Sequence, residues 1–207
     1  MGQAIERFPL FPLGLVLLPG EVVPLHIFED RYRQMIGECL DEEREFGILW
    51  LADDELKEVG CAARITRVLE RFEDGRLNIL VEGTTPFRME RRIGDMAYPA
   101  GDIVLLDDDP DTDLEALEGT RVAYADLVEE VTDERPEPET LSDLDAYGMA
   151  ATVDINPAAK QSLLEMRSEP SRLAELEGLF GEALRRIRTA ARVAEQASGN
   201  GHLKPGD

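Results

Sequence analysis

Few side chains in this sequence could carry out chemistry, and their spacing argues against a catalytic centre. Lys160 and Ser162 come closest to a base with its nucleophile, but they lie two residues apart on one predicted helix and so face different ways. No GxxxxGK[ST] phosphate-binding loop is present. Paired carboxylates such as Glu42-Glu43 lie in acidic polar runs, whereas catalytic carboxyl groups are tuned by apolar pockets. We expect a protein that is not an enzyme and that uses no cofactor.

The histidines and cysteines are equally poor candidates for a metal site, because such a site needs several ligands within reach of one ion. His202 lies in the C-terminal tail, far along the chain from His26. Cys39 falls on the apolar face of a predicted helix and Cys61 in an alternating strand, so both are predicted to be small core side chains. His26 alternates with apolar neighbours, which favours a structural hydrogen bond over catalysis. The sequence predicts no metal ligands.

The strongly acidic composition limits the possible partners. The 207 residues carry 44 Asp or Glu against 22 Lys or Arg, a formal net charge of −22. Such a charge opposes non-specific binding to nucleic acid and to anionic membranes, both of which attract basic surfaces. The apolar runs are too short to cross a membrane, and no basic segment precedes the first of them. We expect a cytoplasmic protein without a membrane partner.

The stretch Phe8–Tyr32 organises the first half of the chain. It places four prolines among large apolar side chains, which excludes one long helix because proline lacks a backbone N–H. Short strands broken at the prolines and turned at Leu18-Pro19-Gly20 would bury the apolar residues. From Glu29 onward the apolar residues follow helical spacing. The sequence therefore predicts a pair of strands followed by a helix.

Short strands with turn signals continue to about residue 106. We expect a bulge or twist near Arg67–Leu69, where the alternation is blurred, and a hairpin turn at Asp74-Gly75. The predicted strands are Phe46–Leu51, Val59–Phe72, Arg76–Gly83, Pro86–Ile93 and Tyr98–Leu106. Their number and spacing are typical of a small barrel or rolled sheet.

The second half of the chain is predicted to be helical. The helices expected from apolar spacing and capping residues are Leu114–Val131 (with Val122 and Val131 in its apolar stripe), Thr140–Ala151, Pro157–Met166 capped by Asn156, and Arg172–Glu195. Strands followed by helices predict an α+β fold. The predicted domains are a strand-rich subdomain at 1–106, a helical subdomain at 107–195 and a disordered tail at 196–207.

The opening motifs resemble those of a known family. FPLFPLGLVLLPG, VVPLHIFEDRYRQMI and Glu45-Phe46-Gly47 are similar to the start of the Lon protease amino-terminal domain, also called the Lon substrate-binding domain. INPAAKQSLLEM with the following RLAEL is similar to a later segment of that family. The resemblance implies a PUA-like β-barrel followed by a helical subdomain. The ATPase and Ser-Lys protease modules of Lon proteases have no counterpart in this sequence.

The resemblance also implies a binding module. It would recognise unfolded or misfolded polypeptides, or degrons, and would work with a protease or chaperone partner. Such binding needs an exposed apolar groove or an open sheet edge. The peptide-binding candidates are aromatic, proline and histidine residues of the opening stretch: Phe11, Pro12, Pro19, His26, Phe28 and Tyr32. For each of them, packing in the core is the competing interpretation.

Two other functions stay open from the sequence. PUA-like sheets are used for RNA binding, and seven arginines lie within Arg64–Arg92, but five acidic residues in that range leave a net charge of only +2. Nucleic acid is therefore the less favoured partner. Alternatively, the acidic region Asp107–Asp145, with sixteen acidic residues against two arginines, could dock a basic partner as an adaptor or scaffold.

Overall fold

The computed structural model describes residues 2–110 and 114–199, which form two compact units. The first unit comprises residues 2–110 and 145–169, and the second comprises 114–144 and 170–199. This division differs from the predicted boundary near residue 106, because residues 145–169 return to the unit that holds the strands.

The first unit is built around one mixed sheet. Its strands are β1 (Ala4–Leu13), β2 (Val22–Ile27), β3 (Phe46–Ala52), β4 (Glu55–Arg71), β5 (Leu77–Ile93) and β6 (Ala100–Leu105). The strand order is β2-β5-β4-β3-β1-β6, with β1 parallel to β3 and the other neighbours antiparallel. An additional β5–β6 pairing closes β5, β4, β3, β1 and β6 into a barrel. The predicted barrel is therefore confirmed.

Apolar side chains from all five barrel strands fill its interior. Phe8 and Phe87 meet edge to face, with ring centroids 5.8 Å apart. Gly47 and Gly60 leave room for this packing, because a Cβ on either would lie 2.5 or 3.0 Å from Cζ of Phe87. The remaining buried members of this cluster are Leu10, Leu49, Ala62, Met89 and Ile103.

The strand β1 runs unbroken through Pro9 and Pro12, so the prediction that prolines break this stretch into short strands is wrong. Each partner strand covers only part of β1: β6 pairs with it up to Pro9, and β3 pairs with it from Leu10 onward. A proline without an N–H is tolerated where one backbone edge lacks a ladder partner. The prediction that the first two strands pair with each other is also wrong, because β2 pairs with β5 and with no other strand in residues 2–110 and 114–199.

The strand β5 is continuous over 17 residues, whereas the sequence predicted two strands, Arg76–Gly83 and Pro86–Ile93. A register shift against β4 between the pairs made by Gly83 and Pro86 accommodates the proline without a break. The first half of β5 pairs with β2 and the second half with β6. The segments 22–27, 64–71 and 77–82 thus form a three-stranded extension of the barrel, which we call the arm.

The arm shows two features that the sequence predicted. Register shifts in β4 between Ile65 and Arg67 and between Val68 and Glu70 confirm the expected irregularity. The tip of the arm is the predicted hairpin turn, where Gly75 has a φ of 84°.

One polar cluster fastens the helix α1 (Asp30–Asp41) to the barrel. Tyr98, just before β6, is buried and donates its hydroxyl hydrogen to the Glu38 carboxylate on α1. Arg44 donates to the same carboxylate at 3.2 Å and to the Tyr98 hydroxyl oxygen at 3.1 Å. The hydrogen bond from Tyr98 holds the pKa of Glu38 below its usual range, and burial raises the pKa of Tyr98 to about 12.

Alkaline unfolding tests this cluster. The folded protein retains the Tyr98 proton to about pH 12, whereas an unfolded chain releases it near the ordinary tyrosine pKa of 10.0. The stabilising contribution is complete below the unfolded pKa and is lost as the pH rises through the folded pKa. We expect the free energy of unfolding in urea to fall over that window, and to fall less steeply in Tyr98→Phe. An equally steep fall in the variant would contradict this assignment.

Two further helices, α4 (Ala146–Ala151) and α5 (Pro157–Glu165), belong to the first unit. Asn156 caps α5 as predicted, by accepting a hydrogen bond from the N–H of Ala159 at 3.0 Å. The amide of Gln161 donates to the carbonyl of Val59 on β4 at 3.1 Å, which attaches α5 to the barrel.

The second unit consists of α2 (Leu114–Thr132), α3 (Pro138–Ser142) and α6 (Glu169–Gly199), whose first residue belongs to the first unit. The hydroxyl of Thr120 donates to the carbonyl of Leu173 at 3.2 Å. The rings of Tyr124 and Phe180 lie 5.8 Å apart. These contacts join α2 to α6.

The single helix predicted over Thr140–Ala151 is wrong, because α3 and α4 are separate helices. Asp145 accepts a hydrogen bond at 2.7 Å from an N–H in the first turn of α4 and so starts a new helix. The Arg121 guanidinium donates to the carbonyls of Ser142 and Leu144, which satisfies backbone acceptors at the end of α3.

The second unit shows three further differences from the sequence predictions. Val122 and Val131 are 50% and 64% exposed, so their place in the apolar stripe of α2 is wrong. The last helix begins at Glu169, three residues before the predicted Arg172. Of the predicted tail 196–207, residues 196–199 end α6, and 200–207 lie outside the described residues. None of the described helices combines the length and the apolar composition needed to cross a membrane.

Candidate functional site

An open groove of about 590 Å³ lies on the first unit beside β1, β2 and the start of α1. Five of the six predicted peptide-binding residues line it: Phe11, Pro12, His26, Phe28 and Tyr32. They meet because β1 ends, β2 ends and α1 begins at the same place on the unit.

Two packed aromatic rings give the groove its shape. The rings of Phe11 and Tyr32 lie 4.2 Å apart at an interplanar angle of 33°. Both side chains are buried, so their main role is packing in the core. The Arg31 guanidinium lies 4.5 Å from the centroid of the Tyr32 ring, a cation–π contact. Burial raises the pKa of the Tyr32 hydroxyl.

Exposed aromatic surface flanks the groove. Phe28 is 59% exposed and stacks on His26, with ring centroids 5.9 Å apart. Phe72, at the tip of the arm, contacts His26 edge to face, with ring centroids 6.0 Å apart. Arg76 lies 5.0 Å from the centroid of the Phe72 ring. We call Phe28, His26 and Phe72 the aromatic rim; an apolar ring that stays in water beside a groove is typical of a recognition surface.

The strand β2 borders the groove, and its outer edge has no strand partner within residues 2–110 and 114–199. The N–H of Gly83 donates to the carbonyl of Glu21 at 2.9 Å. This bond fixes which residues of β2 direct their backbone groups towards β5 and which direct them outward. Pro24, which cannot donate, then takes a position whose backbone faces outward. The outward groups at Val22 and His26 are available to an extended segment, and Pro24 interrupts the edge between them.

The structure does not bring Pro19, the sixth candidate, to the groove. It lies in the predicted turn at Leu18-Pro19-Gly20, which is fastened elsewhere. Glu21 accepts a hydrogen bond from the N–H of Leu18 at 3.0 Å and forms an ion pair with Lys160 on α5. Both charged side chains are largely buried, so the turn joins the barrel to α5.

Sequence reasoning missed residues that complete the groove from other parts of the chain: Leu51, Asp54, Leu56, Arg92 and Pro99. They come from the β3–β4 turn, the end of β5 and the approach to β6. Only the Asp53-Asp54 pair carried a local signal, since adjacent aspartates between apolar runs favour a turn.

The backbone conformation of the β3–β4 turn leads to a prediction about stability. Ala52 pairs with Glu55, so Asp53 and Asp54 form a two-residue turn with φ of 44° and 69°. Such positive φ values are strained for residues with a Cβ. We expect Asp54→Gly to raise the free energy of unfolding in urea by about 1 kcal/mol. Asp54→Ala, which keeps a Cβ, is the matched control, and an equal gain in both variants would refute the backbone explanation.

The candidates for nucleophilic or metal chemistry are dispersed. Cys39 and Cys61 are buried and unpaired. Burial raises the pKa of the Cys39 thiol to about 11 and raises that of Cys61 as well, so both stay protonated near neutral pH. Lys160 forms an ion pair with Glu21. Across the described ranges, no three His, Cys, Asp or Glu side chains cluster closely enough to hold a metal ion.

Several arginines between residues 64 and 92 are already neutralised by neighbouring carboxylates. Ion pairs of 2.6–2.7 Å join Arg64 to Glu82, Arg76 to Asp74 and Arg91 to Asp102. These pairs compete with phosphate for the same guanidinium groups, which weakens an RNA-binding interpretation.

Comparison with known proteins identifies relatives of the chain. Residues 7–179 match the family model described as "ATP-dependent protease La (LON) substrate-binding domain". The chain is 24% identical over 204 residues to the Lon protease of Methylocella silvestris, covering 88% of this chain and 25% of that protein. It is 26% identical over 180 residues to the Lon protease of Anaeromyxobacter dehalogenans, covering 76% and 21%. The chain thus spans about a quarter of the length of the curated relatives it matches.

Solved structures give the same fold. A Lon N-terminal domain protein from Xanthomonas campestris superposes with a TM-score of 0.64 at 25% identity, covering 83% of this chain and 97% of that one. The N-terminal domain of the Mycobacterium avium complex Lon protease gives a TM-score of 0.67 at 20% identity, covering 86% and 98%. These likenesses confirm the predicted α+β fold of a strand-rich part with helices after it.

Proposed function

The chain belongs to the ATP-dependent protease La (LON) substrate-binding domain family, and from this premise we propose that it is a non-catalytic module that binds unfolded polypeptides or degrons. The groove beside β1, β2 and α1 is the proposed site. Presentation of the bound chain to a protease or chaperone partner in the cytoplasm is part of the same proposal.

The observation that carries the proposal is Phe28. Phe28 is 59% exposed, and its ring offers apolar area that water solvates poorly. It stands directly over a groove large enough for one or two side chains of a client. The apolar contact would give affinity for unfolded segments, which expose such side chains, over folded proteins, which bury them.

The outer edge of β2 offers a second contribution to binding, through backbone hydrogen bonds. An extended client next to β2 would find backbone donors and acceptors at Val22 and His26, just before the exposed ring of Phe28. Backbone pairing does not depend on client sequence, which suits a module that accepts many unfolded chains. Pro24 limits the number of bonds on that edge and so disfavours pairing between two copies of the protein.

A binding titration tests the proposal. A fluorescently labelled polypeptide, reduced and carboxymethylated so that it cannot fold, is titrated with the protein and followed by fluorescence anisotropy. We expect saturable binding that persists at high salt, because apolar contact is little screened. The native form of the same polypeptide is the matched control and should not bind. Absence of saturation with the unfolded form would refute the proposal, and salt-sensitive binding of single-stranded RNA would favour the nucleic-acid alternative.

A further inference from the structure

A row of polar side chains crosses the exposed face of the arm and ends at the groove. Asn78 on β5 stands directly opposite His26 on β2, and on its other side it is opposite Glu70 on β4. Nδ1 of His26 lies 2.6 Å from Oδ1 of Asn78. Nδ2 of Asn78 donates to Oε2 of Glu70 at 3.1 Å. The sheet register therefore builds a continuous hydrogen-bonded chain from Glu70 to the imidazole.

When the imidazole is neutral, only one placement of hydrogens satisfies both bonds. An ionised carboxylate accepts hydrogen bonds and cannot donate, so the NH₂ group of Asn78 must face Glu70. The carbonyl oxygen of Asn78 then faces His26 and can only accept, so Nδ1 of His26 carries the hydrogen. A neutral imidazole has a single N–H. Nε2 of His26 is therefore an unprotonated acceptor.

The imidazole is also held in orientation. Phe28 stacks on it at an interplanar angle of 21°, and Phe72 meets it edge to face at 82°. His26 is exposed and lines the groove, and among the residues that the structure describes none hydrogen-bonds its Nε2. The neutral imidazole thus offers the groove a fixed, vacant hydrogen-bond acceptor beside the ring of Phe28.

We infer that His26 is the polar anchor of the groove, whose Nε2 accepts a hydrogen bond from a backbone N–H of the bound polypeptide. Asn78 and Glu70 act as positioning residues that hold the imidazole in the Nδ1–H tautomer. This inference rests on the proposed function and adds a requirement to it. The client must present a free amide N–H next to the apolar side chain that contacts Phe28.

The backbone amide is the donor that the site fits best. Every residue of a client except proline offers one, and in an unfolded chain it is free of secondary structure. A vacant acceptor beside an apolar ring therefore selects for unfolding rather than for a sequence. The same chemistry excludes a proline at the position of the donor.

Nuclear magnetic resonance of the imidazole tests the tautomer without any client. In ¹⁵N-labelled protein, in a buffer alkaline enough to keep imidazoles neutral, long-range ¹H–¹⁵N correlations report which ring nitrogen is protonated. We expect the Nδ1–H tautomer at His26 in the wild type and the Nε2–H tautomer, which free histidine prefers, in Asn78→Ala. The double variant Glu70→Gln/Asn78→Asp keeps an acceptor facing Nδ1 and should restore the Nδ1–H form. A dispersed amide spectrum verifies folding, and Asn78→Val replaces Asn78→Ala if that variant unfolds.

Binding of the carboxymethylated polypeptide then tests the role of the acceptor. Asn78 does not line the groove, so Asn78→Ala changes the site only through the imidazole. We expect about a tenfold loss of affinity in Asn78→Ala, the effect of losing about one hydrogen bond, and recovery in the double variant. A structural role alone would not produce this recovery together with the return of the Nδ1–H tautomer.

The two parts of the experiment separate the inference from the proposed function. A wild type that binds the polypeptide but carries the Nε2–H tautomer would overturn the inference alone. A wild type with the Nδ1–H tautomer that binds no unfolded polypeptide would overturn the proposed function, and the role of His26 as an anchor with it. Unchanged affinity in an Asn78→Ala variant whose tautomer has switched would also overturn the inference.

Discussion

Gly83→Ala is expected to lower the free energy of unfolding by about 3 kcal/mol, because the added methyl group overpacks a tightly packed site. A Cβ at this position would lie 2.1 Å from the carbonyl oxygen of Leu18 and 3.1 Å from Cγ of Leu17. Two hydrogen bonds hold β5 against this turn and prevent the two from moving apart. Gly83 accepts one from the N–H of Gly20 at 2.8 Å and donates one to the carbonyl of Glu21 at 2.9 Å. The added methyl group would separate β5 from the turn that precedes β2. Urea denaturation followed by circular dichroism measures the loss.

Gly14→Ala is the control for Gly83→Ala. Gly14 lies in the connection between β1 and β2, which also holds the turn that Gly83 contacts. It is exposed, and a Cβ at this position would have no atom within 4 Å. Its substitution should change the free energy of unfolding by less than about 0.5 kcal/mol. Equal effects of the two variants would show that the close approach of Gly83 to the turn does not stabilise the fold.

Phe28→Ala is expected to weaken binding of an unfolded polypeptide by about tenfold or more, because truncating an exposed aromatic anchor typically costs at least 1.4 kcal/mol. The side chain is 59% exposed, so its removal leaves no cavity in the core and the free energy of unfolding should hardly change. Loss of affinity without loss of stability distinguishes a recognition residue from a core residue. Anisotropy titration and urea denaturation of the same preparation give both quantities.

Leu69→Ala is the control for Phe28→Ala. Leu69 is 48% exposed, on the arm, and does not line the groove. Its substitution removes apolar area of the same kind from a different place, and we expect the affinity to stay within about twofold of the wild type. A similar loss in both variants would show that general surface hydrophobicity, rather than the groove, attracts the client.

Local signals in the sequence predicted those parts of the fold that short-range physics decides. Helical spacing gave α1, the Asp74-Gly75 pair gave the tip of the arm, and Asn156 gave the start of α5. Each depends on residues within a few positions of one another. The continuity of β1 and β5 through their prolines could not be predicted in this way, because it depends on which distant strand pairs with each half.

The same distinction between local and long-range effects applies to the residues of the candidate groove. Phe11, His26, Phe28 and Tyr32 come from one contiguous stretch, so reasoning about that stretch found them together. Leu51, Asp54 and Arg92 reach the groove only because the barrel closes, and no local pattern reports closure. The hydrogen-bonded row from Glu70 to His26 was missed for the same reason, since its three members are neighbours in the sheet and distant in the chain.

Photo-crosslinking is the most direct test that the groove binds unfolded polypeptide. Benzophenone-alanine placed at position 28, and in a separate variant at position 69, is irradiated with the labelled carboxymethylated polypeptide. We expect crosslinks from position 28 that excess unlabelled unfolded polypeptide abolishes, and few or none from position 69. Equal crosslinking from the two positions, or crosslinking from position 69 alone, would contradict the proposed site.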